Sequence, residues 1–134
     1  MEKGGKVEKK TVKFFEYNIL LDSLHCDFDS IMQRLYDNNI ECMGIVHNHL
    51  NDGKSHCHII TFRYLTYEEF ENITNVSFFY YGCTKSTIPR IIGYLLHYTS
   101  VINKNAINKY KFKDIKTNMN LQEYKKEIIK HGIS

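Results

Sequence analysis

Hydrophobic and polar positions change period several times along the chain, and each change marks an element. Val12–Leu20 is rich in aromatic and β-branched residues and reads as a strand. Asp27 or Asp29 caps a helix that ends near Asp37, with Ile31, Met32 and Leu35 inward at helical spacing. Alternation returns over Ile40–His49 and again over Ser55–Arg63. Between them stands Asp52-Gly53, a strong signal for a tight hairpin turn. Thr66 opens a second helix with Glu69 at the capping-box position, and that helix ends near Ile73. Val76–Tyr81 is a fourth strand. Ser86-Thr87-Ile88-Pro89 starts a third helix that runs on to Tyr98 and buries Ile91, Ile92, Leu95 and Leu96. An irregular or extended basic segment follows. Leu121–Lys130 is a last amphipathic helix, ended by Gly132.

The order β-α-β-β-α-β matches the ferredoxin-like split β-α-β motif. The expected fold is therefore α+β: an antiparallel sheet, helices packed on one face, and an added third helix able to reach the open face. The His-bearing hairpin would be central. With 134 residues the chain has room for one core. A hydrophobic content of 43% and a charged content of 25% fit a folded domain rather than a disordered chain. Residues 1–12 are read as a mobile basic tail and 13–134 as one domain. No stretch is apolar enough to span a bilayer, and the N-terminus lacks a signal-peptide core. Cys26, Cys42, Cys57 and Cys83 form no C-x-x-C pair. They read as thiols in a reducing cytosol, so the expected location is cytoplasmic and no membrane partner is expected.

The candidate chemistry lies in the hairpin. In His56-Cys57-His58 the strand period of two sends both imidazoles to one face and Cys57 to the other. If Asp52-Gly53 is a two-residue loop, His49 faces His56 and His47 faces His58, and all four share that face. Three imidazoles suit a divalent metal with a position left open for water or a substrate oxygen. His56 and His58 are the pair that any register keeps. His49, slightly ahead, or His47 supplies the third ligand, with Asp52 as a further candidate from the turn.

On the third helix Arg90, Tyr94 and His97 fall at i, i+4 and i+7 and share one stripe. A phenol beside an imidazole and a guanidinium is a nucleophile set suited to a phosphate. Tyr is unreactive at its free pKa near 10 and needs a base or metal beside it.

Charge adds a partner class. The net charge is only +3, but it is unevenly spread: +3 over residues 1–13, −5 over 14–99 and +5 over 100–134. In Lys104–Lys113, lysines alternate with aromatics. Lys104, Lys109, Lys111 and Lys113 can neutralise phosphates while Tyr110 and Phe112 stack on unpaired bases. The same lysines can equally be the solvent face of an edge strand.

The order strand, His-hydrophobe-His strand, helical Tyr resembles the HUH endonucleases, and within them the rolling-circle replication initiators (Rep proteins) of plasmids and small viruses. Gly93-Tyr94-Leu95-Leu96-His97 is similar to the Tyr-Leu-x-His motif of plasmid initiators. Asp52–His58 is similar to the turn-plus-HUH segment of small viral ones, and Phe14–Leu20 stands where the family has its aromatic-rich first strand. The resemblance covers roughly residues 13–116. Cys57 stands where a larger hydrophobe is usual. His97 stands where many viral members carry Lys.

The resemblance implies a metal-dependent nicking and joining enzyme with Mn²⁺ or Mg²⁺, Tyr94 as nucleophile, His97 as a possible proton acceptor and a 5′-phosphotyrosine intermediate. The implied partner is single-stranded or hairpin origin DNA, with host or viral replication machinery beyond it; oligomeric state stays open. Three other readings use the same residues differently: a single-tyrosine HUH transposase, a non-catalytic ferredoxin-like nucleic-acid-binding module, and a closed structural metal site.

Overall fold

The computed structural model describes residues 10–21, 27–48, 55–97 and 110–126. They form five strands and three α-helices in the order β1 (Val12–Leu20), α1 (Phe28–Asp37), β2 (Cys42–Asn48), β3 (Ser55–Thr61), α2 (Tyr67–Thr74), β4 (Tyr80–Ser86), α3 (Ile88–Leu95) and β5 (Lys116–Thr117). The sheet order is β4-β1-β3-β2-β5, and every neighbouring pair is antiparallel. This α+β arrangement is consistent with a ferredoxin-like fold. β1, β3 and β2 are the inner strands, so the His-bearing hairpin of β2 and β3 is central, as its pattern predicts.

Each face of the sheet has its own core. Tyr17, Ile19, Cys57 and Ile59 pack under α1 and α2 with Ile31, Met32, Leu35 and Phe70. Phe14, Met43, Ile45 and Ile60 pack under α3 with Ile91, Ile92, Leu95 and Leu96. The split follows from the strand period: successive residues of β1 serve opposite cores. Buried Tyr17 is satisfied by Leu65, donating to its carbonyl and accepting from its amide at 3.1 and 3.2 Å. Arg34 ties the two helices of its layer by donating to the Thr74 carbonyl at 2.8 Å.

The helix starts follow their local chemistry. Asp27 caps α1 through the Ser30 amide. Thr66 and Glu69 form the reciprocal capping box of α2. Thr87 caps α3, with Pro89 in its first turn.

Three expectations need correction. β4 begins at Tyr80, four residues after Val76; Val76 is buried but sits before the strand, and β4 is an edge strand whose mostly exposed positions carry little pattern. The third helix stops at Leu95 because His97 adopts φ 69°, a left-handed conformation that ends helices. The expected last helix opens with a 3₁₀ turn at Gln122–Tyr124 and is α-helical at residues 125–126, and its remainder lies outside the described residues. The hairpin register differs by two residues: His47 pairs with His56, Ile45 with His58 and Asn48 with Ser55. A two-residue slip leaves every side chain on its face, so hydrophobic pattern alone cannot distinguish the two registers.

The fifth strand was not expected. Asn118 and Thr117 fasten it to the start of β2: the Cys42 amide donates to Asn118 Oδ1 at 3.0 Å, and Thr117 Oγ1 donates to the Cys42 carbonyl at 2.8 Å.

Gly44 lets α1 approach β2. A Cβ at this position would stand 3.0 Å from Met32 Sδ and 3.1 Å from the Phe28 ring. Gly44→Val should therefore overpack this layer and cost about 1–3 kcal/mol, read as a lower urea midpoint with an unchanged m-value. An unchanged midpoint would show that α1 can move away freely.

Candidate metal centre and nucleophile

The site is built where the ends of three inner elements meet. β2 contributes His47, β3 contributes His56 and His58, and β1 contributes Glu16. All four point to the face covered by α3, where Tyr94 sits. His47, His56 and His58 each offer a ligand atom within 4.8 Å of the others, and this group could hold a metal ion.

His47 is the most constrained of the three. It is 3% exposed. Its Nε2 lies 2.7 Å from the Leu95 carbonyl. That carbonyl belongs to the last turn of α3 and has no partner within the helix, so it accepts from Nε2–H. This fixes the tautomer and leaves the lone pair on Nδ1. Nδ1 is buried and has no hydrogen-bond partner. Burial pushes the His47 pKa down to about 3, despite the opposing bond to Leu95, and the neighbouring imidazoles add to the fall. A neutral imidazole with an orphaned inward lone pair is what a metal ligand requires.

The pair on β3 complements it. His56 Nε2 and His58 Nε2 stand 3.0 Å apart. Two imidazole nitrogens bonded at about 2.1 Å to one ion and subtending a right angle would stand roughly 3 Å apart. His58 Nδ1 lies 2.7 Å from Glu16 Oε2 and donates to it, since a carboxylate can only accept. The lone pair of His58 is therefore on Nε2, turned towards His56. A carboxylate behind a ligand histidine orients the ring and raises its basicity. The residues present thus fit a divalent cation, with donors from two strands and a supporting shell.

Glu16 links this group to the nucleophile candidate. The Tyr94 hydroxyl donates to the same Glu16 Oε2 at 2.9 Å. Burial works to raise the Glu16 pKa, but the bonds from His58 and Tyr94 outweigh it and the carboxyl is held below its usual range. Burial and the Glu16 charge push the Tyr94 phenol up, so it keeps its proton in the resting site. Tyr94 remains 41% exposed, open to a substrate.

The expected site residues are distributed as follows. Of the upstream histidines, the described one beside the His56–His58 pair is His47; His49 and Asp52 lie outside the described residues. Arg90 and Tyr94 line one cleft, as their shared stripe implies. His97 leaves that stripe because the helix has ended. Its ring packs on His47 at 4.1 Å between centroids and on Tyr110 at 5.2 Å, while Tyr94 meets Glu16.

Tyr110 and Phe112, expected to stack on bases, pack inward. Tyr110 lies 4.6 Å from the His47 ring and accepts the Asn48 amide on its hydroxyl, and Phe112 joins the α3-side core. Lys111 and Lys113 are exposed. Lys104 and Lys109 lie outside the described residues. Among the described residues Cys42 and Cys57 are buried and Cys83 is exposed. No helix among them is long and apolar enough to cross a membrane.

Glu16 is the residue that sequence reasoning missed. A carboxylate between Phe15 and Tyr17 on an inner strand was the available signal, because a charge there needs a partner.

Removing a ligand and removing its support should differ. By titration calorimetry with Mn²⁺, His47→Ala or His58→Ala should abolish measurable binding, while Glu16→Ala should weaken it about 10–100-fold. Undiminished binding in His47→Ala would remove that residue from the centre. No family model matches this chain, and no curated protein matches it, so its functional reading rests on the geometry of these side chains.

Proposed function

We propose that the protein is a metal-dependent single-strand DNA endonuclease and strand transferase of the HUH type, acting through a 5′-phosphotyrosine in the manner of a rolling-circle replication initiator. The observation that carries this reading is the shared oxygen of Glu16, which couples His58 of the three-histidine group to the hydroxyl of Tyr94. A structural metal site would have no use for an exposed phenol tethered to its supporting carboxylate. A ferredoxin-like split β-α-β sheet with α3 as an added element is part of the same proposal, supported by the antiparallel order β4-β1-β3-β2-β5.

His47, His56 and His58 would hold the ion, which supplies Lewis-acid polarisation of a phosphate oxygen. Mn²⁺ suits an imidazole set better than the harder Mg²⁺. Tyr94 Oη attacks phosphorus, and the 3′-oxygen leaves. The phenol proton passes along its existing hydrogen bond to Glu16 Oε2, and a proton returns to the departing 3′-oxygen. One phosphodiester replaces another, so little energy is lost. The free 3′-hydroxyl can be extended by a polymerase of the host or virus, or can attack the phosphotyrosine to rejoin strands. The DNA partner is single-stranded or extruded from a hairpin origin.

The deciding experiment incubates the protein with Mn²⁺ and a random pool of single-stranded oligonucleotides labelled on the 3′ side, followed by a denaturing protein gel. A labelled band at protein mass is expected. It should vanish with EDTA, with Tyr94→Phe and with His56→Ala/His58→Ala, while Tyr94→Phe keeps its metal affinity. Absence of the band in folded, metal-binding protein would overturn the reading.

A further inference from the structure

The two edges of the sheet are built differently. β5 is two residues long, and its Lys116 is ion-paired with Asp29 at 3.2 Å, so that edge is short and charged. β4 is seven residues long and pairs with β1 in an unbroken register, from Val12 opposite Ser86 to Asn18 opposite Tyr80. Among the described residues no strand pairs with its outer side, and five of its seven residues are exposed. Folded proteins usually blunt such an edge with proline, a bulge or several charges. β4 has no proline, no bulge and a single charge, Lys85.

The edge also carries apolar surface on both faces. Tyr80 is 80% exposed and, on the opposite face, Tyr81 is 48% exposed. Tyr81 packs on half-exposed Tyr64 and on buried Tyr17, which anchors this surface to the core.

β4 matches itself when two copies run antiparallel about Cys83, its middle residue. That register overlaps the whole strand. It sets Cys83 opposite Cys83, and it sets Tyr81 of each copy opposite Lys85 of the other, on one face. A cation beside a phenol ring is attractive. Lys85 already faces Lys13 within its own chain. An axis at Lys85 would oppose that lysine to itself and shorten the overlap, so the full-length register is also the one that charge favours.

We propose that β4 is the interface of a two-fold homodimer, pairing antiparallel with β4 of a second copy about an axis at Cys83. The occupant is a second copy because the edge fits itself in length, register and charge. The axis is perpendicular to the sheet. Both His47–His56–His58 groups therefore lie on one side of a continuous sheet made of two five-stranded halves. The proposal is independent of the nuclease reading.

The test is sedimentation equilibrium of the full chain up to millimolar concentration, where a reversible dimer is expected. Tyr81→Lys opposes like charges at two symmetric places and should raise the dimer dissociation constant about tenfold or more. Tyr81→Lys/Lys85→Glu opposes unlike charges there and should restore the dimer. A wild type that stays monomeric would leave the edge to a different chain and overturn the proposal. So would a dimer insensitive to Tyr81→Lys, or a loss that the second change does not rescue. Should Tyr81→Lys fail to fold, crosslinking decides: a short bis-maleimide should join wild-type chains through exposed Cys83 and should not join Cys83→Ser chains. Equal crosslinking of both proteins, or none of the wild type, would overturn the β4 interface.

Discussion

Glu16 Oε2 accepts two hydrogen bonds from two different elements, one from His58 on β3 and one from Tyr94 on α3. Neither donor could hold its position alone. A histidine on a strand face can rotate about its two side-chain torsions, and a phenol on a helix can swing into solvent. The shared carboxylate fixes both, and it is itself held on an inner strand that pairs on both sides. The cost of burying the charge is offset because both donors are directed at it. The site therefore depends on the register between β1 and β3, which sets Glu16 opposite Ile60 and Asn18 opposite His58.

The other half of the site depends on where α3 stops. Leu95 must leave its carbonyl free for His47, and the left-handed turn at His97 ends the helix at the point where that happens. His47 thus does two things with its two nitrogens: Nε2 satisfies the end of a helix, and Nδ1 keeps its lone pair in the buried cluster. The apolar packing of Ile91, Ile92, Leu95 and Leu96 on Phe14, Ile45 and Ile60 holds this geometry in place. Tyr110 closes it from the side, its ring against His47 and its hydroxyl on the Asn48 amide.

Much of this was legible in the chain because it depends on local rules. β1, both capping interactions of α2, the start of α3 and the common face of His56 and His58 follow from period and capping chemistry. What was hidden depends on pairing between distant segments. The two-residue shift of the hairpin is invisible to a period of two, so His49 and His47 could not be separated from pattern. Glu16 looked like one polar residue in an aromatic strand until β3 was set beside it. The end of α3 carried no glycine or proline to announce it, and His97 was therefore read as a helical neighbour of Tyr94. β5 rests on side-chain bonds from Asn118 and Thr117, which no periodicity reveals.

The arrangement also bears on whether the proposed single-strand reading is one of chemistry or of binding alone. A sheet used only to bind single strands would present stacking aromatics across its open face. Here the face covered by α3 carries three imidazoles and a carboxylate, and the large aromatics Tyr17, Phe70 and Phe79 pack against one another on the opposite side. The exposed Tyr80 stands at the edge, opposite Asn18. Imidazoles gathered around one point are costly in a pure binding surface, since burial suppresses their charge and removes them from phosphate neutralisation, as His47 shows. Neutral nitrogens converging beside a tethered phenol make chemical sense when the face must hold a cation and deliver an oxygen nucleophile. On the proposed reading, this grouping is what separates a catalytic role from passive binding.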